Sequence, residues 1–380
     1  MGTGNKLRLT DVFVSISDPR QAGKVEHDLV ELLVVAVHAV LVGADTFVEI
    51  ELWAKEKLDW LRGYLRLEAG IPSHDTFGRL FGLIDPTEFE AAFRRWVGAV
   101  LPTLGPDTVV AIDGKTSRRT GKVDATPLHL VSAFAAEAGL VLGQRATAEK
   151  SNEKTAIPEL LATLALEGCI VTIDAMGTQG NIAQAIRDRG ADYVLAVKDN
   201  QPHLAEALRD FFSTLNAPGH CRRQVSLHET LDKGHGRIET RRCTAVGELD
   251  WLDLLGLKTR WSKLTSVACI ESTRDIGGRV STEQRYVISS LPADSRRILH
   301  AVRTHWGIEN GLHWCLDVTF GDDASRIRLR NAAQNFSFLR RLGLNLFRAD
   351  KSRAISLPRK LKTAAYNPEH LATALQLSKI

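Results

Sequence analysis

Three acidic residues stand where their surroundings would fix them for metal chemistry. Asp113 closes the apolar run Thr108 to Ile112 and is followed by Gly114 and Lys115; Asp174 closes the run Cys169 to Ile173 and is followed by Ala175, Met176 and Gly177. A carboxylate at the exit of a buried strand has a fixed backbone yet remains open to water and ions, so two such ends can share a divalent cation. The third ligand is expected from the segment Asp294 to Asn310, which reads as a capped helix with Glu309 on its apolar, inward side. A lone strand-end aspartate can equally cap a turn or a helix. Two strand-end aspartates and one helix glutamate together make an acidic metal site.

The elements that must carry these groups can be read from the spacing of apolar residues. Residues from about 8 to 100 are expected to be helical: Asp28 caps an apolar run, Thr46 to Leu61 repeats apolar residues at helical spacing, and Pro86 sits in the first turn of a helix that runs through Trp96. After Pro102 the period changes to two. Strands are expected over Thr108 to Asp113, Leu128 to Phe134 and Leu140 to Ala146, then a helix near Thr155 to Leu166, a strand to Asp174, a helix Asn181 to Arg189 and a strand Asp192 to Val197. Three strands, helix, strand, helix, strand fits a mixed sheet flanked by helices better than a doubly wound parallel sheet. A helix to Phe212 follows, and then short strands, best at Gln224 to His228, Arg237 to Thr244, Leu264 to Glu271 and Arg285 to Ser289, interrupt the sheet before the last helix.

Composition narrows the class. With 380 residues, 44% hydrophobic and 25% charged, the chain can bury a sizeable core in two or three domains. The most apolar stretch, Leu29 to Val42, contains Glu31 and His38 and is shorter than the roughly 20 residues of a bilayer span, so a buried helix is expected and no membrane partner. No basic-then-apolar signal segment opens the sequence, which predicts a cytoplasmic protein. Cys169, Cys221, Cys243, Cys269 and Cys315 are odd in number and widely spread, a poor basis for a disulfide framework or a zinc site. The net charge of +4 is uneven: from Ser295 onward there are 15 Lys and Arg against 6 Asp and Glu, while the rest of the chain is acidic. A polyanion tracking past the acidic site accounts for that asymmetry, and so does a solvated basic surface.

Three stretches carry a resemblance. Ala111 to Arg118, Ile173 to Gln179, and the run from His305 and Trp306 through Glu309, Asn310, His313, Trp314 and Asp317 resemble the three acidic motifs of DDE insertion-sequence transposases, in the branch that includes the H-repeat-associated proteins. The likeness extends through Tyr193 to Gln201, Gly234 to Glu239, Tyr286 to Leu291 and the helical front, essentially the whole chain. It implies a ribonuclease-H-like mixed sheet with flanking helices, an inserted β-rich subdomain and an N-terminal helical domain. The expected divisions are a helical domain at 1–103 that could bind DNA, the first part of the core at 104–215, the insertion at 216–292, and the last acidic helix with a basic region at 293–380.

The same resemblance implies that Asp113, Asp174 and Glu309 hold two Mg2+ ions, with Mn2+ able to substitute, and that Asp113 bridges them. The implied reaction is phosphoryl transfer on double-stranded DNA: the protein cuts the ends of its element and joins their 3′-hydroxyls to target DNA, as a homodimer or higher assembly. Lys115, Arg118, Lys198, His305 and the alternating row Arg326, Arg328 and Arg330 are the candidates for DNA contact, while Asn310, His313 and Asp317 are expected around the acids. Many related transposases carry tyrosine, arginine and lysine where this chain has Val302, His305 and Leu316. Trp251 and Trp261 are expected to pack in the core. A catalytically silent DNA-binding derivative, or a metal-dependent nuclease that does not transpose, are the competing readings.

Overall fold

In the computed structural model the described residues are 8–100, 104–121, 126–147, 152–215, 223–234 and 236–375; the turn expected at Pro102, together with Cys221 and His235, lies outside them. The front of the chain is helical: α1 (Leu9–Phe13), α2 (Leu29–Leu41), α3 (Phe47–Glu56), α4 (Leu58–Leu61), α5 (His74–Leu83) and α6 (Pro86–Val100). Asp28 starts α2 by accepting from the Glu31 amide at 2.9 Å. Nearly every side chain of α2 is buried, as expected of a helix apolar all round.

The sheet follows. Its strands are β1 (Val109–Ser117), β2 (Leu128–Ala135) and β3 (Leu140–Thr147); then, after α7 (Glu153–Leu161), β4 (Ile170–Ile173); after α8 (Gly180–Asp188), β5 (Asp192–Val197). α9 (Pro202–Thr214) leads to β6 (Val225–Gly234) and β7 (Arg237–Val246), and α10 (Asp250–Leu254) to β8 (Ser266–Ile276) and β9 (Arg279–Ser289). The order across the sheet is β3-β2-β1-β4-β5-β9-β8-β7-β6. β2 is antiparallel to both β1 and β3, β1, β4 and β5 are parallel, and β9 joins β5 antiparallel. The five strands β3-β2-β1-β4-β5 form the ribonuclease-H-like arrangement, and β6 to β9 continue the same sheet through β5 rather than standing apart from it.

The chain closes with α11 (Ser295–His305), a π-helical stretch Glu309–His313 that runs into α12 (Trp314–Phe320), then α13 (Ala332–Ala349), α14 (Leu357–Tyr366) and α15 (Pro368–Leu375). α11 covers one sheet face, its Ile298, Leu299 and Ala301 packing with Val109, Ile170 and Val194. α13 is buried along most of its length between the front helices and the sheet. Its Asn345 pairs with one residue of the edge strand β3, accepting from the Val141 amide at 2.9 Å and donating to the Val141 carbonyl at 2.8 Å. No helix among the described residues is long and apolar enough to cross a membrane.

Candidate functional site

Strand alternation decides which side chains of β1 meet the final helices. Val109 packs under α11, so Ala111, Asp113, Lys115 and Ser117 point to that same face while Gly114 points to the other. In β4, Ile170 likewise faces α11, and the register Ile112 to Ile173 brings Asp174 beside Asp113. Asp113 is not where β1 ends. The strand leaves β4 there but stays paired with β2 through Ser117, because the antiparallel partner is the longer one.

The exposed side of β1 then meets residues 309–322 in sequence. Asp113 lies opposite Glu309 and His313; Lys115 Nζ donates to Asp317 Oδ2 at 2.7 Å; Ser117 Oγ donates to Asp322 Oδ2 at 3.2 Å. Asp113, Glu309 and His313 each offer a ligand atom within 4.8 Å of the others. His313 Nδ1 is 3.2 Å from Glu309 Oε2 and 3.6 Å from Asp113 Oδ2. Asp174 is outside this close group. Its Oδ1 accepts from the Met176 amide at 3.0 Å and the Gly177 amide at 3.4 Å, capping a short 3-10 turn.

The helix bearing Glu309 runs as the sequence suggests except for one turn residue, Trp306, and a π widening at Glu309. α11 starts on Asp294, whose Oδ1 accepts from the Arg296 and Arg297 amides, and ends at His305. Glu309 opens the wider π turn, closed by the Trp314 amide donating to the Glu309 carbonyl. Gly307 and Gly311 let this segment lie close to β2, since a Cβ on Gly311 would fall 3.0 Å from two carbons of the Phe134 ring. Arg348 of α13 donates to the Gly311 carbonyl and stacks its guanidinium over Phe134 at 5.4 Å, holding the turn in place.

Electrostatics mark the same spot. Burial pushes the Asp113 carboxyl up to about 7, opposed by the Gly114 amide at 2.9 Å from Oδ1 and reinforced by the negative charges of Asp174, Glu153 and Glu309. Burial pushes His313 down to about 4 against the pull of Glu309. Crowded carboxylates with hard oxygen donors fit a divalent cation, which would relieve their repulsion. Among the described residues Asp113, Glu309 and His313 stand close enough together to share one, and Asp174 follows the neighbouring strand beside Asp113.

Other expected residues fall differently. Lys115, expected on DNA, turns inward to Asp317 with only 12% of its side chain exposed, so its ammonium is already satisfied. His305 Nδ1 pairs with Thr172 Oγ1 at 3.0 Å on β4, and burial lowers its pKa against the pull of nearby Asp174. Lys198 and Asn310 are exposed, and the Arg118 side chain is 83% exposed. Arg326 and Arg328 are exposed on an irregular segment, with Arg328 donating to the Arg119 carbonyl at 2.7 Å; at Arg330 the backbone turns, with φ 42°. Trp251 stacks on Phe211 at 4.3 Å, and Trp261 is buried.

Two residues without any signal in the sequence pattern also belong here. Behind Asp113, on the opposite face, the buried His129 Nε2 meets Glu153 Oε1 at 2.7 Å, and His129 Nδ1 meets Thr116 Oγ1 at 2.7 Å. A side chain on Gly114 would overlap this pair, which explains glycine directly after the aspartate.

Much of this sequence is shared with known proteins. Residues 79–346 match the family described as transposase DDE domain, and residues 10–97 match its associated family, DDE_Tnp_1-associated. "H repeat-associated putative transposase YhhI" of Escherichia coli K12 is 39% identical over 381 residues, covering 97% of each chain. "Putative transposase YncI" of Escherichia coli O157:H7 is 40% identical over 373 residues, covering 97% of this chain and 94% of that one. Among solved structures, a piggyBac transposase synaptic complex with hairpin DNA aligns with TM-score 0.43 and 10% identity, over 98% of this chain and 79% of that one. With the acidic motifs in order on a ribonuclease-H-like sheet and a family match over most of its length, the chain belongs to the DDE-domain transposases, alongside the H-repeat-associated members.

Proposed function

We propose that the protein cuts the ends of its own insertion element and joins the freed 3′-hydroxyls to target DNA, using Mg2+ held by Asp113, Asp174 and Glu309. The observation that carries this reading is the convergence of the Asp113 and Glu309 carboxylates, far apart in the chain, beside the strand end that carries Asp174. Bound there, divalent metal supplies Lewis acidity and a lowered pKa for a coordinated water or hydroxyl. The protein's own part is positional. β1 fixes Asp113, the π turn brings Glu309 over it, and the Lys115 to Asp317 pair holds α12 in register with the strand. Two element ends must be held at once, so a dimer or larger assembly acts, with the helical front at 1–103 contributing DNA contacts.

The test is end cleavage and strand joining on a duplex carrying the element's terminal sequence, with Mg2+ or Mn2+. Asp113→Ala and Glu309→Gln are each expected to abolish both products while leaving DNA binding in place. Residual activity equal to wild type in both variants overturns the metal site. Cuts without joined product point to a nuclease, and binding without cuts in the wild type points to a silent derivative.

A further inference from the structure

His313 is 4% exposed, lies on the π turn that carries Glu309, and reaches both acids with one nitrogen. The other nitrogen, Nε2, is buried and has no hydrogen-bond partner among the described residues. The two facts together restrict the tautomer. If Nδ1 ligated a cation, Nε2 would carry the hydrogen, with no acceptor for it among the described residues. With the hydrogen on Nδ1, Nε2 presents only a lone pair, and the donor faces Glu309 Oε2 at 3.2 Å; Asp113 Oδ2, at 3.6 Å, is beyond hydrogen-bond length but within reach of the same dipole.

We propose that His313 is a positioning residue, not a metal ligand: its Nδ1–H holds the Glu309 carboxylate toward Asp113 and presets the distance across which a cation is caught. This deepens the metal-site reading above and rests on it. Glu309 has most need of such a hold, since 61% of its side chain is exposed and it stands at the start of a π turn. Without a donor, an exposed glutamate samples rotamers that point away from β1.

The experiment uses the full chain with Mn2+ alone as probe, measuring affinity by calorimetry and nitrogen coordination by pulsed electron paramagnetic resonance. His313→Ala is expected to weaken Mn2+ binding by about 10- to 100-fold, as loss of an outer hydrogen bond to a ligand does. His313→Asn places an amide donor near the former Nδ1 and is expected to restore most of that loss. An imidazole nitrogen signal that His313→Asn removes, or Mn2+ binding by His313→Ala equal to wild type, overturns the proposal. Should His313→Ala fail to fold, the asparagine variant and the wild-type spectrum still decide. Asp113→Ala binding Mn2+ as tightly as wild type would defeat the underlying site reading instead, a distinct result.

Discussion

At the scale of single residues, the two acids that converge are readable in the sequence because each stands in a motif at an element boundary, but their neighbours are not. The spacing of His313 places it around the acids, whereas its insertion between Asp113 and Glu309 depends on the π turn. Glu153 and His129 have no signal, because a buried hydrogen-bonded pair assembled from two elements leaves no local pattern. Lys115 shows why charge alone misleads. Next to an acidic site it reads as a phosphate ligand, yet α12 brings Asp317 to it, and Asp317 Oδ1 is buried with no hydrogen-bond partner among the described residues. Removing one member of this pair therefore strands the other. Lys115→Met and Asp317→Leu are each expected to cost about 1–3 kcal/mol, and the double substitution less than their sum. Urea unfolding of the four proteins measures the cycle; strict additivity would show that the pair is not coupled. Cleavage should fall in Lys115→Met even where folding persists, because the lock between β1 and the segment bearing Glu309 is gone.

Among the elements, apolar periodicity locates the strands and the helices as far as α11 but not α13, α14 or α15, and it shortens the strands. β1, β6, β8 and β9 all run on through polar residues, since ladder partners rather than burial sustain their outer halves. The π turn is likewise hidden: nothing in the spacing of residues 294–313 announces it, nor that Gly311 there lies against the Phe134 ring. Gly311→Val should press on that ring and cost about 1–3 kcal/mol, with a drop in Mn2+ affinity as Glu309 is displaced; unchanged affinity and unfolding midpoint would show that the segment does not need its close approach to Phe134. In α2, His38 is fully buried, its Nδ1 2.6 Å from the Val34 carbonyl and its ring against Trp53 and Trp60. Burial lowers its pKa from 6.5 to about 4. The unfolded chain therefore binds a proton first, and the stability this residue leaves intact above pH 6.5 is lost as pH falls toward 4, by about 3 kcal/mol in all. His38→Leu should flatten that part of the stability profile relative to wild type. Parallel profiles for the two proteins between pH 6.5 and 4 would mean that the ring is charged or solvated in the fold.

For the molecule as a whole, the same tail that supplies Glu309 also supplies the basic excess, and the fold concentrates part of that excess near the site. Past Asp113, β1 continues to Ser117 and ends in a turn carrying Arg118 and Arg119; Arg328 donates to the Arg119 carbonyl and so lies beside that turn. Five residues of strand cover about 16 Å, a little under half a turn of duplex DNA. A backbone entering at the acids can thus run out over this arginine group. Deeper in, the opposite use of charge holds the tail in place: Arg340 pairs with Asp322 at 3.1 Å, both nearly fully buried, and although burial alone would raise the Asp322 pKa, Arg341 and Arg340 hold it below the usual carboxylate value. Arg326, Arg328 and Arg330 are exposed, with Arg328 already donating to the Arg119 carbonyl, whereas Arg340 and Arg341 are buried. Replacing the three exposed arginines with glutamine should weaken DNA binding with little change in stability, and every phosphate left without its arginine should reduce the slope of log affinity against log salt by about 0.9. If all three touch phosphate, the slope flattens by about 3. A triple variant whose salt dependence matches wild type would place the DNA path elsewhere on the protein, and would leave the basic tail as a solvated surface rather than a track.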